Sequence, residues 1–286
     1  MNQEIINLFD EYTHVPLSRE EFMKRLAKLT GSTAAAIAVL PLLEVNYAKA
    51  ATIGEDDDDL VIESITYEGD GTTMRGYLTK PKTIATKLGS VLVIHENRGL
   101  NPHIKDIARR VAKAGYLALA VDALSPFGGT PANEDEARGL FGKLDAQKNL
   151  NNFLKGLDYL RARSESNGKT GCVGFCWGGG LANQLAVNAP QLNAAVAYYG
   201  RQADTQDVPK IKAALQLHYG GLDERVNAGI PAYEAALKDA GKKYELYVYD
   251  GANHAFNNDT APTRYNPEAA KLAWERTLRL FKETLV

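Results

Sequence analysis

The stretch Gly174-Phe175-Cys176-Trp177-Gly178-Gly179-Gly180 decides the fold, because it joins an apolar strand at residues 171–175 to a helix predicted to begin near Leu181. A tight strand-to-helix turn strains the backbone of its central residue, and the flanking positions must be glycine to avoid clashes. Such a turn points the central side chain outward above a sheet. We therefore predict that Cys176 is a nucleophile and that the Trp177 N–H, at the helix N-terminus, stabilises an oxyanion.

The two cysteines also allow simpler interpretations. Cys176 could be an inert buried thiol whose neighbouring glycines only allow close packing of helix and strand. Cys172 lies inside the strand, and we interpret it as a core residue. Their spacing differs from that of thioredoxin-type redox sites, and zinc sites need more ligands. We therefore exclude a disulfide framework and expect a reduced thiol, with no metal and no organic cofactor.

Apolar runs on either side of this turn predict a mostly parallel sheet. A hairpin around Gly69-Asp70-Gly71 forms one edge, with strands at residues 61–67 and 74–79. The later runs are continuous, as expected for strands covered on both faces, and each is followed by a turn or a helix. The sequence therefore predicts a doubly wound α/β fold with helices on both faces. The later strands are predicted at residues 90–95, 116–121, 171–175, 194–199, 214–219 and 244–249.

The composition is that of a globular chain with one large core. Of its 286 residues, 45% are hydrophobic and 24% are charged, which is enough to bury a core and still cover the surface with polar groups. The formal net charge is -2 and no block of lysine and arginine occurs, so the chain has no basic field that would attract polyanions. Nucleic acid is therefore excluded as a partner, and a small molecule is expected instead.

The first fifty residues allow two interpretations. Residues 18–24, the apolar run at 34–43 and the triplet Ala48-Lys49-Ala50 resemble a twin-arginine export signal, but Glu20 occupies the place of the second arginine. The alternative is a retained helical arm, since Phe22 and two leucines recur at helical spacing and could pack on the main domain or on a second subunit. The apolar run is shorter than the roughly 20 residues that span a bilayer.

We therefore divide the chain into an N-terminal arm with an acidic linker, residues 1–59, and a catalytic domain, residues 60–286. The two leucines that recur with Phe22 at helical spacing are Leu26 and Leu29. If this face of the arm packs on a second subunit, a homodimer formed through the arm is expected. A cytoplasmic location is another, with a periplasmic location as the alternative if residues 1–50 act as an export signal.

An acid and a histidine follow Cys176 in the chain order typical of serine and cysteine triads on this kind of sheet. Asp223 lies in a loop after one predicted strand, and His254 lies in a loop after the last one. We predict that His254 holds the thiolate as an ion pair and later protonates the leaving alkoxide, while Asp223 fixes its tautomer. Glu224 is a weaker candidate for the acid. A surface histidine and a helix-capping aspartate remain the alternatives.

From residue 61 to the C-terminus, these motifs resemble the dienelactone hydrolase family, whose members have an α/β-hydrolase fold and pair a cysteine elbow with aspartate and histidine. That family carries a glutamate just after the first central strand, where this chain has Glu96. The resemblance implies that Glu96 contacts the cysteine and controls when the thiol ionises. It also implies that the Asn97 N–H completes the oxyanion hole beside the Trp177 N–H.

The chain departs from the better-known family members at the two arginines that hold a substrate carboxylate. One of the two places lies in the segment 122–129, which contains no arginine, and the other is Asn258. Arg98 and Arg201 follow strands at the predicted rim of the site and could replace them, although surface or structural roles are equally compatible with their positions. The aromatic residues that we predict as pocket walls are Phe127, Trp177, Tyr199 and Phe256.

The resemblance implies cysteine-dependent hydrolysis of a small ester or lactone through an acyl-cysteine intermediate, which makes the chain a carboxylic ester hydrolase. A non-catalytic α/β-hydrolase scaffold that binds a small carbonyl ligand or a partner protein is the main alternative. A thiol-responsive sensor is a third interpretation, but it needs a second accessible thiol, and Cys172 is expected inside a strand.

Overall fold

The computed structural model describes residues 1–15, 17–47 and 52–286, and an eight-stranded sheet forms its centre. The strand order is β1-β2-β4-β3-β5-β6-β7-β8. The strands are β1 (Leu60–Glu68), β2 (Thr73–Pro81), β3 (Leu88–Ile94), β4 (Leu117–Asp122), β5 (Ser166–Phe175), β6 (Ala194–Tyr198), β7 (Ala214–Gly220) and β8 (Tyr244–Tyr249).

The sheet is mostly parallel. β1 and β2 form the antiparallel hairpin predicted at one edge, and β2 pairs antiparallel with β4. All later neighbours are parallel, from β4–β3 to β7–β8. The carboxyl ends of β3, β5, β7 and β8 therefore meet at one edge, where ligands bind in open α/β sheets. This arrangement confirms the predicted doubly wound α/β fold.

Helices cover both faces of the sheet because successive strand residues point in opposite directions. Leu92 and Ile94 of β3 join the hydrophobic core on one face, and Val91 and Val93 join the core on the other. The first core includes side chains of α6, α7 and α9, and the second includes side chains of α4 and α10. These helices are α4 (Pro102–Lys113), α5 (Glu134–Phe141), α6 (Ala146–Ala162), α7 (Trp177–Asn188), α8 (Glu224–Asn227), α9 (Ile230–Asp239) and α10 (Pro267–Leu285).

The N-terminal arm consists of three helices, α1 (Gln3–His14), α2 (Arg19–Thr30) and α3 (Thr33–Leu43). They share a hydrophobic core in which the Tyr12 and Phe22 rings stack with centroids 4.3 Å apart. Leu26 is fully buried, as its spacing with Phe22 predicts, whereas Leu29 is 38% exposed and lies outside this core. The helical interpretation of the arm therefore agrees with the structure. The triplet Ala48-Lys49-Ala50 of the export-signal interpretation lies outside the described residues.

No single helix in the described part of the chain is both long enough and apolar enough to cross a membrane. α2 and α3 reach that length and composition only when they are taken together, and a bend of 107° separates them. The cytoplasmic location stays a prediction.

The arm packs against the hydrolase domain of its own chain. Asn97 Nδ2 donates to the Thr13 carbonyl at 2.7 Å, and Arg138 Nη1 donates to the Tyr12 carbonyl at 2.6 Å. The Arg138 guanidinium also lies over the Tyr12 ring, 4.1 Å from its centroid. Because these contacts occur within one chain, the homodimer expected through the arm finds no support in the structure.

Candidate active site

Cys176 lies in the turn between β5 and α7 with a strained backbone. Its φ of 55° and ψ of -113° are rare for a residue with a side chain. A Cβ at Gly174 would collide with the Gly178 carbonyl, and a Cβ at Gly178 would lie 2.5 Å from the His95 carbonyl oxygen. The glycines therefore permit the turn and the close approach of α7 to β3. α7 begins at Trp177, earlier than predicted, because the glycines after the turn are already helical.

His254 and Asp223 meet beside this turn. His254 Nδ1 lies 2.6 Å from Asp223 Oδ2, and both side chains are almost fully buried. Asp223 also caps α8, since its Oδ1 accepts from the Val226 N–H at 3.2 Å. The Asp223 carboxylate thus hydrogen-bonds to His254 with one oxygen and caps α8 with the other. Because the carboxylate only accepts, the proton of a neutral His254 ring lies on Nδ1, and Nε2 is left as a base.

A second histidine, which sequence reasoning missed, contacts the sulfur. His14 Nε2 lies 3.0 Å from Cys176 Sγ, and His14 Nδ1 lies 2.8 Å from the Asp10 carbonyl oxygen and 3.1 Å from Asp10 Oδ1. The His14 and His254 rings meet edge to face, with centroids 4.5 Å apart. One signal was present in the sequence, because Asp10 and His14 are four residues apart and therefore share one face of α1.

The two histidines and their acids form one electrostatic unit. Burial lowers the pKa of His14, but Cys176 and Asp10 raise it more, so it lies above the ordinary 6.5. Burial also opposes the charged form of His254, yet Asp10 and Asp223 raise its pKa above 6.5. Burial raises the pKa of Asp10, but the two imidazoles outweigh it and hold that pKa well below its ordinary 3.8. The site therefore favours charged imidazoles next to a charged Asp10.

Two cavities meet at Cys176. One has a volume of about 550 Å³ and lies between the arm and the hydrolase domain, with His14, Asn97 and His254 among its walls. The other, of about 890 Å³, runs along α7 on the opposite side. Cys176, Trp177 and Arg201 line both. A substrate can therefore extend in two directions from the sulfur.

Comparison with known proteins identifies the family. The model of the family described as "Dienelactone hydrolase family" matches residues 74–285. The chain belongs to the dienelactone hydrolase family. An Escherichia coli O157:H7 protein described as "Putative carboxymethylenebutenolidase" is 34% identical over 250 residues, which cover 82% of this chain and 92% of the relative. A Saccharolobus solfataricus protein of the same description is 34% identical over 253 residues, covering 75% of this chain and 95% of the relative.

A solved structure agrees with this assignment. The crystal structure described as "Putative Dienelactone Hydrolase from Klebsiella pneumoniae subsp. pneumoniae MGH 78578" is similar with a TM-score of 0.71 and 28% identity, covering 78% of this chain and 99% of that one. The predicted family resemblance is confirmed, and the chain is a hydrolase of the dienelactone hydrolase family with an α/β-hydrolase fold. The arm helices precede residue 74 and lie outside the part that the family model matches.

The hydrogen bonds of Glu96 go to residues other than Cys176. Its buried carboxylate accepts from Asn258 Nδ2 at 2.9 Å and from the Tyr199 hydroxyl at 3.4 Å. Within the described residues no hydrogen bond joins Glu96 to Cys176, and His14 is the hydrogen-bond partner of the sulfur instead. Asn258, which occupies one of the two arginine places of the family, thus holds the Glu96 carboxylate through a hydrogen bond.

The two candidate arginines differ in availability. Arg98 forms an ion pair with Glu134 and its side chain is only 11% exposed, so it is not free to bind a substrate carboxylate. This corrects the expectation that Arg98 could replace a family arginine. Arg201 is exposed and lines both cavities. No hydrogen bond or ion pair of its guanidinium is found in the described part of the chain, so Arg201 keeps its capacity to bind an anion.

The four aromatic residues predicted as pocket walls divide into two pairs. Trp177 and Tyr199 line the cavity beside the arm, and the Tyr199 ring lies 5.0 Å from the His254 ring. Phe256 is fully buried behind Tyr199, with ring centroids 5.4 Å apart. Phe127 is 41% exposed in a 3-10 turn and lines neither of the two cavities. The structure thus moves Phe256 into the core and Phe127 to the surface.

The geometry around the sulfur fits a direct hydrogen bond better than a metal site. Cys176, His14 and His254 offer donor atoms within 4.8 Å of one another, and sulfur and imidazole are ligands that Zn²⁺ accepts. A tetrahedral zinc ion, however, separates a nitrogen and a sulfur ligand by about 3.5 Å. The His14 Nε2–Cys176 Sγ distance of 3.0 Å is shorter than that, so it fits a hydrogen bond better than two ligands of one zinc ion.

Proposed function

We propose that this hydrolase cleaves small esters or lactones through an acyl-cysteine intermediate on Cys176. The observation that carries the proposal is the strained turn that holds Cys176 at the carboxyl edge of the sheet, within 4.8 Å of a histidine that is itself paired with an acid. Backbone strain concentrates at functional sites, and a nucleophile, a base and an orienting acid are the groups that acyl transfer needs.

The reaction proceeds in two halves. The thiolate of Cys176 attacks the carbonyl carbon, which forms a C–S bond and a tetrahedral oxyanion. The oxyanion collapses, the C–O bond breaks, and the leaving alkoxide takes a proton from an imidazolium. A water molecule then gives a proton to His254 and attacks the thioester, and the C–S bond breaks to release the acid. Asp223 keeps the His254 ring in the orientation that this proton transfer requires.

Two backbone amides are proposed to stabilise the oxyanion. The Trp177 N–H belongs to the first turn of α7, where no preceding helical carbonyl can accept it. The Asn97 N–H belongs to the turn after β3, and Asn97 lines the same cavity as Cys176. Donors at a helix N-terminus stabilise a developing negative charge more than a neutral carbonyl. We therefore assign the oxyanion hole to these two amides.

Arg201 is the group that we propose to select among substrates. It lies at the junction of the two cavities, with an exposed guanidinium. A guanidinium can form two parallel hydrogen bonds with a carboxylate. If the physiological substrate carries a carboxylate, Arg201 is the residue placed to bind it, because Arg98 is paired with Glu134.

A substrate screen with a nucleophile variant tests the proposed function. Aryl esters, simple lactones and dienelactones, with and without a carboxylate, are compared by kcat/KM. We expect turnover of at least one class, loss of about 10⁴-fold or more in Cys176→Ala, and an acyl adduct on the wild-type protein by intact-mass measurement. Cys172→Ala is the matched control and keeps its activity, because Cys172 is buried in β5.

Two outcomes would contradict the proposal. Full esterase activity in Cys176→Ala rejects Cys176 as the nucleophile. A wild-type protein that binds carbonyl compounds without turnover and without gaining covalent mass is instead a non-catalytic scaffold.

A further inference from the structure

The sulfur of Cys176 is hydrogen-bonded to the arm and not to the histidine of the predicted triad. His14 Nε2 is the atom at 3.0 Å from Sγ. His254 Nε2 is buried and has no hydrogen-bond partner within the residues that the structure describes. Two imidazoles therefore flank one thiol, and within the described residues only the imidazole of His14 is hydrogen-bonded to it.

The partners of His14 fix which of its nitrogens acts as a base. Nδ1 faces the Asp10 carbonyl oxygen at 2.8 Å, which can only accept, and the Thr13 hydroxyl at 3.0 Å, which donates its own proton to that carbonyl and so accepts from Nδ1. The proton of a neutral His14 ring therefore lies on Nδ1, and the lone pair of Nε2 faces the thiol. His254 has the same arrangement, with its Nδ1 proton directed at Asp223. The site thus holds two histidine–acid pairs with equivalent tautomers.

We propose that His14 is a second catalytic histidine, which takes the proton of the Cys176 thiol and leaves His254 to exchange protons with the substrate oxygens. The proposal rests on the proposed role of Cys176 as the nucleophile. It assigns the arm a part in catalysis that the sequence of the hydrolase domain does not contain, since His14 and Asp10 precede the residues that the family model matches.

The enzyme neither gains nor loses a proton over one turnover. The Cys176 thiol gives its proton to His14 Nε2, and the thiolate forms the C–S bond. The leaving alkoxide takes a proton from His254, which starts as an imidazolium. Water then gives a proton to His254 while its oxygen bonds to the acyl carbon. The C–S bond breaks, and the departing thiolate recovers its proton from His14, so both imidazoles return to their starting forms.

The surroundings support two charged imidazoles at this place. The groups that face His14 are Asp10 on its own helix, Cys176 on the turn before α7, and His254 on the loop after β8. Asp10 also lies near Arg225, 3.3 Å from Nη2. The raised pKa of each histidine, with burial opposing and the acids prevailing, agrees with proton uptake by both rings.

The arm leaves room for a substrate with His14 in place. The cavity of about 550 Å³ has both His14 and Cys176 in its walls, together with Thr13 and Leu17 of the arm. A segment that only blocked the site would fill this space. The arm forms one side of the substrate cavity instead, which is the position that a catalytic group requires.

Alkylation of Cys176 tests the proton acceptor directly. The rate of reaction with iodoacetamide follows the thiolate fraction. Burial raises the pKa of Cys172 to about 12, so modification near neutral pH reports Cys176. In His14→Gln we expect the rate at pH 7 to decrease about tenfold or more, because the variant lacks the imidazole that accepts the thiol proton and, once charged, stabilises the thiolate. Asp10→Asn, which keeps the imidazole but removes its acid, gives a smaller decrease.

Turnover gives the second readout. We expect kcat of His14→Gln to decrease about 10²-fold, the scale of one acid–base group, while KM changes little. Added imidazole should restore part of the kcat of His14→Ala but none of the activity of Cys176→Ala. Lys24→Ala is the matched control in the arm, because it removes only an exposed ion pair within α2, with Glu20 at 2.8 Å, and leaves the hydrogen bonds between the arm and the hydrolase domain intact. It is expected to leave kcat and the alkylation rate unchanged.

The outcomes separate this inference from the proposed function. If Cys176→Ala is inactive but His14→Gln keeps the wild-type kcat and alkylation rate, the role of His14 is overturned and the nucleophile stands. A faster His14→Gln enzyme also overturns it, because the arm contact is then inhibitory. If Cys176→Ala stays active, the proposed role of Cys176 as the nucleophile is rejected, and the role of His14 that rests on it is rejected with it. A thermal melt of each variant shows that the compared proteins are folded.

Discussion

The hydrolase domain and the N-terminal arm each bring one histidine–acid pair to Cys176, but they hold it in different ways. His254 and Asp223 lie on separate loops after β8 and β7, and the sheet fixes the distance between them. His14 and Asp10 lie one turn apart on the same helix, α1. His254 and Asp223 therefore meet only when the sheet has formed. His14 and Asp10 are already adjacent on one helix, and that helix has only to dock onto the hydrolase domain.

The two pairs therefore depend on different parts of the structure. The pair in the domain cannot be moved without disturbing β7 and β8, two neighbouring strands of the sheet. The pair in the arm depends on a few surface contacts, among them the hydrogen bonds of Asn97 and Arg138 to α1 carbonyls. Variants that affect one pair or the other should therefore differ in the size of the activity loss and in its sensitivity to arm docking.

The largest effect is expected from the pair in the domain. His254→Ala removes the only imidazole that we assign to the substrate oxygens, so we expect kcat to decrease about 10⁴-fold, the scale of a lost triad member. The loss should exceed that of His14→Gln by about 10²-fold. Steady-state kinetics on the best ester of the screen measures both. Equal decreases in kcat would show that the two histidines act as one unit. They would contradict the separate proton-transfer roles that we propose for His14 and His254.

The pair in the domain could be predicted from the sequence because its signals are local. A few residues are enough to recognise the glycines around Cys176. The same is true of the acid and the histidine, each of which follows a later apolar run. The strand positions were also predicted to within a few residues, apart from β5, which begins at Ser166. Continuous apolar runs are reliable signals for strands that are buried on both faces.

The pair in the arm could not be predicted, because docking is a long-range event. The spacing of Asp10 and His14 shows a shared helix face, but nothing in the sequence says that this face meets Cys176, more than 160 residues later. The hydrogen bonds of Glu96 could not be predicted for a similar reason. Its carboxylate accepts from Asn258 and Tyr199, which lie on distant loops. The direction of a loop side chain depends on its hydrogen-bond partners, and those partners are known only from the three-dimensional structure.

An intermediate effect is expected when docking is weakened and the imidazole is kept. Arg138→Ala removes a hydrogen bond to the Tyr12 carbonyl and the cation–π contact with its ring. Because a hydrogen bond to a charged group contributes about 1.5–3 kcal/mol, we expect roughly a tenfold lower kcat and faster proteolysis of α2. Trypsin digestion followed by mass spectrometry measures the second. Unchanged digestion would show that other contacts hold the arm.

The smallest effect is expected from pH acting on the docked arm. The pKa of His14 is raised, so its protonation stabilises docking below its ordinary value of 6.5, and this contribution is lost as the pH rises through the folded-state pKa. The pKa of Asp10 is lowered, so its ionisation stabilises docking above 3.8 and is lost as the pH falls further. The arm should therefore resist proteolysis best between these two values.

Pepsin is suited to the acidic part of this profile and subtilisin to the neutral part, each compared with the same digestion of Lys24→Ala, which removes only an ion pair within α2. In His14→Gln the decrease in protection above pH 6.5 should disappear, because glutamine has no proton to lose, while the decrease at low pH remains with Asp10. His254 also faces Asp10, so a residual slope in His14→Gln would assign part of the effect to the pair in the domain. A profile identical to that of the wild type would instead separate arm docking from the charge of His14 altogether.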